Sequence, residues 1–116
     1  MNNEKIYNMQ FSKIYPLLLN KVQKKGHTKE ETDIIINWLC GYSVEDINNM
    51  LDSDITYREF FENAPLLNPN RKLITGTICK IKVEDVQDPL MQNIRYLDKL
   101  IDDLAKGKKM EKILRK

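Results

Sequence analysis

The sequence is short of the residues that build most metal sites and nucleophilic sites. It has one histidine, His27, and two cysteines, Cys40 and Cys79, which are far apart and form no CxxC pair. A structural zinc site takes about four His or Cys ligands, and the usual nucleophilic triads need a histidine base. The sequence therefore predicts no metal, no cofactor and no catalytic residue. Each cysteine has apolar neighbours, so we expect two buried thiols in a reducing compartment.

Long apolar runs and a strong excess of one charge are also missing. Runs such as 17–19 and 34–36 stop far short of the roughly 18 residues that span a bilayer. The first residues are polar and lack the apolar segment of a signal peptide. The net charge of +2 is too small to indicate nucleic acid binding by itself. We expect a cytoplasmic protein that is not in a membrane, with its 116 residues forming a single domain over 1–116.

The few glycines mark helix ends, and short polar motifs mark helix starts. Gly26, Gly41 and Gly107 each follow a segment with helical apolar spacing, which is typical of C-terminal caps. Thr28 with Glu31 and Thr56 with Glu59 predict capping boxes, and residues 43–46 are a looser version. Pro16 interrupts the first apolar pattern, so we expect that helix to begin near it.

The last helix is the clearest element of the sequence. Asp88 and Pro89 form a typical helix start, and Gly107 follows its end. An apolar stripe with helical spacing is predicted to face the core and consists of Leu90, Ile94, Leu97, Ile101 and Leu104. The opposite face is predicted to be polar and solvent-exposed, with ion pairs Lys99–Asp103 and Asp102–Lys106.

Together these signals predict a mainly α protein: a small orthogonal bundle of four to six helices packed around Trp38 and the last helix. Residues 66–87 are ambiguous. Their β-branched residues partly alternate, which favours a short β segment around residues 73–84 over a further helix.

The order of several short motifs resembles one bacterial family. The chain looks like the family catalogued as domain of unknown function number 2200, and the resemblance covers nearly its whole length. It implies a compact, mostly helical bacterial protein and no activity, because the family carries no assigned reaction, ligand or catalytic residue. The motifs that carry the resemblance include Tyr7-Asn8-Met9, Trp38-Leu39-Cys40-Gly41-Tyr42, Ile74-Thr75-Gly76-Thr77-Ile78-Cys79, Asp88-Pro89-Leu90-Met91-Gln92 and Leu97-Asp98-Lys99-Leu100.

One edge of the last helix is the best candidate for a binding site. Gln92, Arg95 and Lys99 follow one another at helical spacing beside Tyr96, and we expect Tyr42 near them. An arginine fork suits a carboxylate or phosphate, so a small anionic ligand is the first hypothesis for this edge. A salt-bridged solvent face is the plainer interpretation.

The sequence thus favours a non-catalytic binding or protein-interaction module, with a protein partner or a homodimer as further hypotheses. One alternative is a small enzyme with a carboxylate and arginine site near Asp88 and Arg95. Another is weak nucleic acid binding through the basic segment 106–116, although no recognition motif accompanies it.

Overall fold

The computed structural model describes residues 3–115. It is 64% helical, with a small two-stranded sheet, which confirms the mainly α class and the short β segment. Five longer helices match the predicted four to six, and one-turn helices at each end add to them. The helices are α1 (Glu4–Tyr7), α2 (Phe11–Gln23), α3 (Lys29–Cys40), α4 (Val44–Leu51), α5 (Tyr57–Glu62), α6 (Pro89–Ala105) and α7 (Met110–Ile113). The strands are β1 (Thr77–Ile78) and β2 (Ile81–Lys82), flanked by 3-10 turns at Pro69–Leu73 and Val83–Asp85.

Capping side chains set most of the helix starts, as predicted. Thr28, Ser43 and Thr56 each accept a hydrogen bond from the N–H three residues ahead, and the acidic residue there accepts one from the cap residue. The Asp88 carboxylate accepts from the Leu90 N–H at 3.0 Å. Gly107, with φ of 91°, ends α6. Within the described residues, no helix has the length and apolar content needed to cross a membrane.

The prediction that α2 begins near Pro16 is wrong. The helix begins at Phe11, and Pro16 lies exposed inside it. A proline within a helix removes one backbone hydrogen bond. The first turn is held from outside, because the Phe11 N–H donates to the Ile55 carbonyl at 2.8 Å and the Tyr57 N–H donates to the Met9 carbonyl at 2.8 Å.

The centre of the molecule is aromatic, but Trp38 is not part of it. Trp38 is only partly buried, whereas the Phe11 ring stacks on Phe60 with 4.4 Å between centroids. The face of α3 that enters the core carries Ile35, Ile36 and Leu39, all fully buried.

Helix α6 is buried on more sides than its stripe predicts. The predicted stripe is in the core from Ile94 to Leu104, whereas its first residue, Leu90, is only partly buried against the core. On the face predicted to be solvent-exposed, however, Asp102 and Asp103 are only 7% and 3% exposed. The predicted pairs Asp102–Lys106 at 2.9 Å and Lys99–Asp103 at 3.1 Å are confirmed. These pairs explain the burial, since buried carboxylates need compensating charge.

The turn of the β-hairpin is unusual. Thr77 pairs with Lys82 and Ile78 with Ile81, which leaves Cys79 and Lys80 as a two-residue turn. Both have positive φ, 53° and 67°, as in a type I′ turn. The prediction that Cys79 is buried is wrong, because the turn carries it past the paired strands to the surface. Cys40 is buried as predicted.

Candidate functional site

The polar edge predicted on α6 attaches the hairpin region to this helix. Gln92 Nε2 donates to the Val83 carbonyl at 3.1 Å, just after the hairpin. Lys99 lies against Gly76, where an added Cβ would be 3.0 Å from Lys99 Cε. The Tyr96 side chain is buried. These residues have intramolecular contacts, and their role in binding an anion stays a prediction.

Arg95 and Tyr42, the other predicted site residues, also have partners within the protein. Arg95 Nη1 lies 3.5 Å from Asp98 Oδ2, but the buried Nε of Arg95 has no hydrogen-bond partner among the described residues. The Tyr42 hydroxyl donates to the Phe60 carbonyl at 2.6 Å, in the last turn of α5. Neither of the two cavities described below is lined by any of the five predicted residues.

The more promising site is an apolar groove that sequence reasoning missed. It lies between α1, α2, the start of α5, the hairpin turn and α6, and has a cavity volume of about 310 Å³. This is at the small end of the roughly 300–1,000 Å³ typical of ligand pockets. We call it the Tyr57 groove; its lining is Ile6, Met9, Ile14, Leu17, Leu18, Lys21, Tyr57, Ile78, Cys79, Asp98 and Ile101.

Tyr57 is fixed in this groove by its own backbone. It is the first residue of α5, directly after the Thr56 cap, and its N–H is bonded to the Met9 carbonyl. Its ring packs against Phe61 with 5.2 Å between centroids. The side chain is 2% exposed, yet its hydroxyl has no protein partner among the described residues. Buried hydroxyls are normally hydrogen-bonded, so this one is an exception that needs an explanation.

Two charged groups line the groove beside Tyr57. Burial raises the pKa of Asp98, against the opposing effect of Arg95 and Lys21. Lys21 Nζ is paired with Asp102 Oδ1 at 3.0 Å. Burial, followed by the nearby Asp98, raises the pKa of Tyr57 well above its usual value, so its hydroxyl stays protonated as a donor.

The groove has the chemistry of a binding site. Its polar groups are few and stand among apolar side chains, which is the usual composition of ligand pockets. The lysine in it is already paired, and residues 3–115 contain no cluster of His, Cys, Asp and Glu that could hold a metal ion. Tyr57 was missed because it lies at helical spacing with Phe60 and Phe61, a pattern that is typical of an apolar core face. A tyrosine in place of phenylalanine at a core position was the available signal.

A second cavity, of about 330 Å³, lies between α3 and the start of α4. Its most buried charged residue, Asp33, accepts hydrogen bonds from the Tyr15 hydroxyl and from Lys29 Nζ, the latter at 2.7 Å. Because this carboxylate has its partners already, the second cavity lacks the unsatisfied group that distinguishes the Tyr57 groove.

The residues of the two alternative functions are also engaged. The Asp88 carboxylate accepts from the Tyr7 hydroxyl at 2.6 Å, a bond that is the main reason for its lowered pKa. In the basic tail, Lys108 and Arg115 lie 3.6 and 3.7 Å from Asp103 Oδ2. Ile113 is fully buried, so the tail packs back on the molecule.

Comparison with known proteins identifies the family. The model of a family described as "Uncharacterized protein conserved in bacteria (DUF2200)" matches residues 5–115. The crystal structure of the uncharacterized protein SP1917 is similar, with a TM-score of 0.92 and 47% identity over 97% of this chain and 93% of that chain. A search of curated proteins gives no match. Neither matching description names a ligand or a reaction. The resemblance inferred from the sequence motifs is therefore confirmed, and the chain belongs to the bacterial family DUF2200.

Proposed function

We propose that this is a non-catalytic binding protein whose Tyr57 groove holds a small, mainly apolar molecule with one neutral hydrogen-bond acceptor. The observation that carries the proposal is that Tyr57 lines the groove while its buried hydroxyl has no hydrogen-bond partner among the described residues. A buried hydroxyl without a partner costs roughly 1–3 kcal/mol. An acceptor on the ligand would remove this penalty, so the site favours a molecule that brings one.

The dimensions of the groove set the size and affinity of the ligand. At about 30 Å³ per water-sized unit, the cavity holds roughly ten non-hydrogen atoms. Apolar contact with side chains such as Met9, Ile14 and Ile101 provides most of the binding energy. At about 0.5 kcal/mol per atom, within the usual bounds of ligand efficiency, the dissociation constant is about 0.2 mM.

The charges at the groove favour a neutral head group over an ionised one. A carboxylate beside Tyr57 would approach the Asp98 carboxyl, and like charges in a partly buried site repel. A cation would be attracted by Asp98, but it would offer no acceptor to the tyrosine hydroxyl. A carbonyl of an amide, ketone or ester suits the site best, since it accepts a hydrogen bond without adding charge.

The proposal is tested by titration with octanamide, octanoate and octylamine, which differ only in the head group. The side-chain methyl signals of Met9, Ile14 and Ile78 report on the groove in an NMR experiment. We expect octanamide to shift these signals at sub-millimolar concentration, octanoate to bind more weakly and octylamine weakest. If none of the probes shifts the groove methyls, the proposal is wrong.

A pair of variants separates the tyrosine hydroxyl from general packing. Tyr57→Phe keeps the ring, and we expect it to weaken octanamide binding about 3–10-fold, the equivalent of one hydrogen bond of ~0.5–1.5 kcal/mol. Tyr42→Phe is the matched control, because its hydroxyl is bonded to the Phe60 carbonyl outside the groove. Equal affinity in wild type and Tyr57→Phe would refute the anchoring role.

A second candidate is a small anion held at the α6 edge by Arg95, and it is favoured by the Nε of Arg95, which has no hydrogen-bond partner among the described residues. In that case octanoate would bind more tightly than octanamide, and the shifted signals would lie around Gln92 and Lys99. The same titration therefore distinguishes the two candidates. The enzymatic alternative has less support, because Asp88 is held by Tyr7 and Arg95 faces Asp98.

The proposal includes a cytoplasmic location. Both cysteines are free, and Cys79 is exposed, a state that a reducing compartment preserves. Location is tested by fractionation of cells that express the tagged protein, where recovery in the periplasmic fraction would contradict it.

A further inference from the structure

Cys79 is the one exposed thiol of the described residues, and it lies on the wall of the Tyr57 groove. Its backbone conformation is costly: φ is 53°, and a turn of this type is usually formed by Asn-Gly. A cysteine with a positive φ carries a strain of about 1 kcal/mol or more, so turn preference does not explain this residue. Strained residues cluster at functional sites.

A second observation, independent of the thiol, indicates that this groove takes a ligand. Tyr57 is 2% exposed and lines the same cavity, and its hydroxyl has no hydrogen-bond partner within residues 3–115. A molecule that satisfies Tyr57 in a cavity of about 310 Å³ lies next to Cys79, because both residues border that small volume.

We propose that Cys79 captures a small apolar thiol as a mixed disulfide, with the apolar part of the adduct lying in the groove against Tyr57. The inference rests on the proposed binding function and adds a covalent, reversible step to it. The natural co-reactant is a low-molecular-weight disulfide of that thiol.

The step is a thiol–disulfide exchange. The Cys79 thiol loses its proton to solvent, and its sulfur attacks one sulfur of the reagent. A new S–S bond to Cys79 forms as the S–S bond of the reagent breaks, and the outgoing thiolate leaves with that electron pair. One disulfide is consumed and one is formed, so no external oxidant is needed.

Groove contacts make this capture selective. Weak binding holds the reagent near the thiol, and once the bond forms, the effective concentration of the apolar part is in the millimolar range, above its expected dissociation constant. A free thiol in the compartment reverses the reaction, so occupancy of the groove follows the ratio of disulfide to thiol.

The test compares two thiosulfonates that share a reactive group: neutral benzyl methanethiosulfonate and anionic sulfonatoethyl methanethiosulfonate. Each transfers its thiol part to cysteine and releases a sulfinate. Rates are measured by mass spectrometry on the intact chain and are divided by the rates with N-acetylcysteine amide. We expect Cys79 to favour the benzyl reagent about tenfold after this correction, and saturating octanamide to abolish the preference.

Two matched variants control the result. In Cys79→Ser, the buried Cys40 is the remaining thiol, and we expect no label without denaturant. Adding Lys80→Cys to that variant places a thiol on the neighbouring turn residue, which does not line the groove. This thiol should show no preference for the benzyl reagent. Equal corrected rates at Cys79, or the same preference at position 80, would overturn the inference.

The outcomes distinguish this inference from the binding function. If octanamide binds Cys79→Ser as it binds the wild type, but Cys79 shows no apolar preference, covalent capture is wrong and binding stands. If octanamide binds neither protein, the proposed function fails, and any labelling of Cys79 is simple surface reactivity.

Discussion

Removing the hydroxyl of Tyr57 should stabilise the unliganded protein, which is the opposite of what most core substitutions do. In Tyr57→Phe the ring keeps its packing against Phe60 and Phe61, at 5.9 and 5.2 Å between centroids. The change removes a buried hydroxyl that has no hydrogen-bond partner in the part of the chain that the structure describes. An unsatisfied group of this kind costs roughly 1–3 kcal/mol. Allowing for relaxation, we expect a gain of about 1 kcal/mol, or ~4 °C in Tm for a domain of this size.

The control removes the same hydroxyl group from another buried tyrosine, and we expect the opposite change in stability. Tyr42→Phe removes a hydroxyl that donates to the Phe60 carbonyl at 2.6 Å. That carbonyl is in the last turn of α5, where no helical N–H replaces the donor. We expect a loss of about 1 kcal/mol. Urea unfolding followed by circular dichroism measures both variants, and a constant slope confirms that native-state stability has changed.

The result for Tyr57→Phe bears directly on the candidate site. If this variant is destabilised as much as Tyr42→Phe, the Tyr57 hydroxyl has a partner in solution, and the main argument for the groove fails. If the variant is more stable and also binds octanamide more weakly, the hydroxyl destabilises the unliganded protein but contributes to binding, which is the pattern of a functional residue.

Three further predictions test the charges and the backbone. Because burial raises the pKa of Asp98, the folded state binds the proton of this carboxyl more tightly than the unfolded state does. Wild type should therefore lose stability relative to Asp98→Asn as the pH rises from about 4 through that pKa, and urea midpoints of the two proteins that change in parallel with pH would contradict this. Asp103→Ala should lower the free energy of unfolding by about 2 kcal/mol and speed tryptic cleavage of the tail, because the buried carboxylate pairs with Lys108 and Arg115 of the tail. An unchanged cleavage rate would mean that other contacts hold the tail. Gly41→Ala should cost at least about 1 kcal/mol more stability than Gly26→Ala, because both glycines have φ near 85° but only at Gly41 would an added Cβ lie 2.9 Å from a backbone atom, Leu66 N. Equal unfolding midpoints for the two variants would show that the backbone at residue 66 moves away at no cost.

Local chemistry made the helix boundaries predictable. The cap residues Thr28, Ser43 and Thr56 act on atoms only three residues away, so the sequence contains the whole interaction. Pro16 was misinterpreted for the converse reason. The first turn of α2 is held by the carbonyl of Ile55, a contact between segments far apart in the chain.

The burial of charge on α6 could not be predicted from helical periodicity. A helix with one apolar stripe usually has a solvated opposite face. Here Lys21 from α2 and Arg115 from the tail cover that face and pair with Asp102 and Asp103. Charges of opposite sign at distant positions therefore decide the environment of these carboxylates. The sequence contains those charges but not their proximity.

The groove was beyond prediction for a related reason. It is formed by side chains from helices α1, α2, α5 and α6 and from the hairpin turn, so no single motif marks it. The polar edge that sequence reasoning selected is nevertheless connected to it. Gln92 is bonded to the Val83 carbonyl and Lys99 packs on Gly76, one contact on each side of the hairpin. Because the tip of that hairpin supplies groove residues, the Gln92–Lys99 edge positions one wall of the groove.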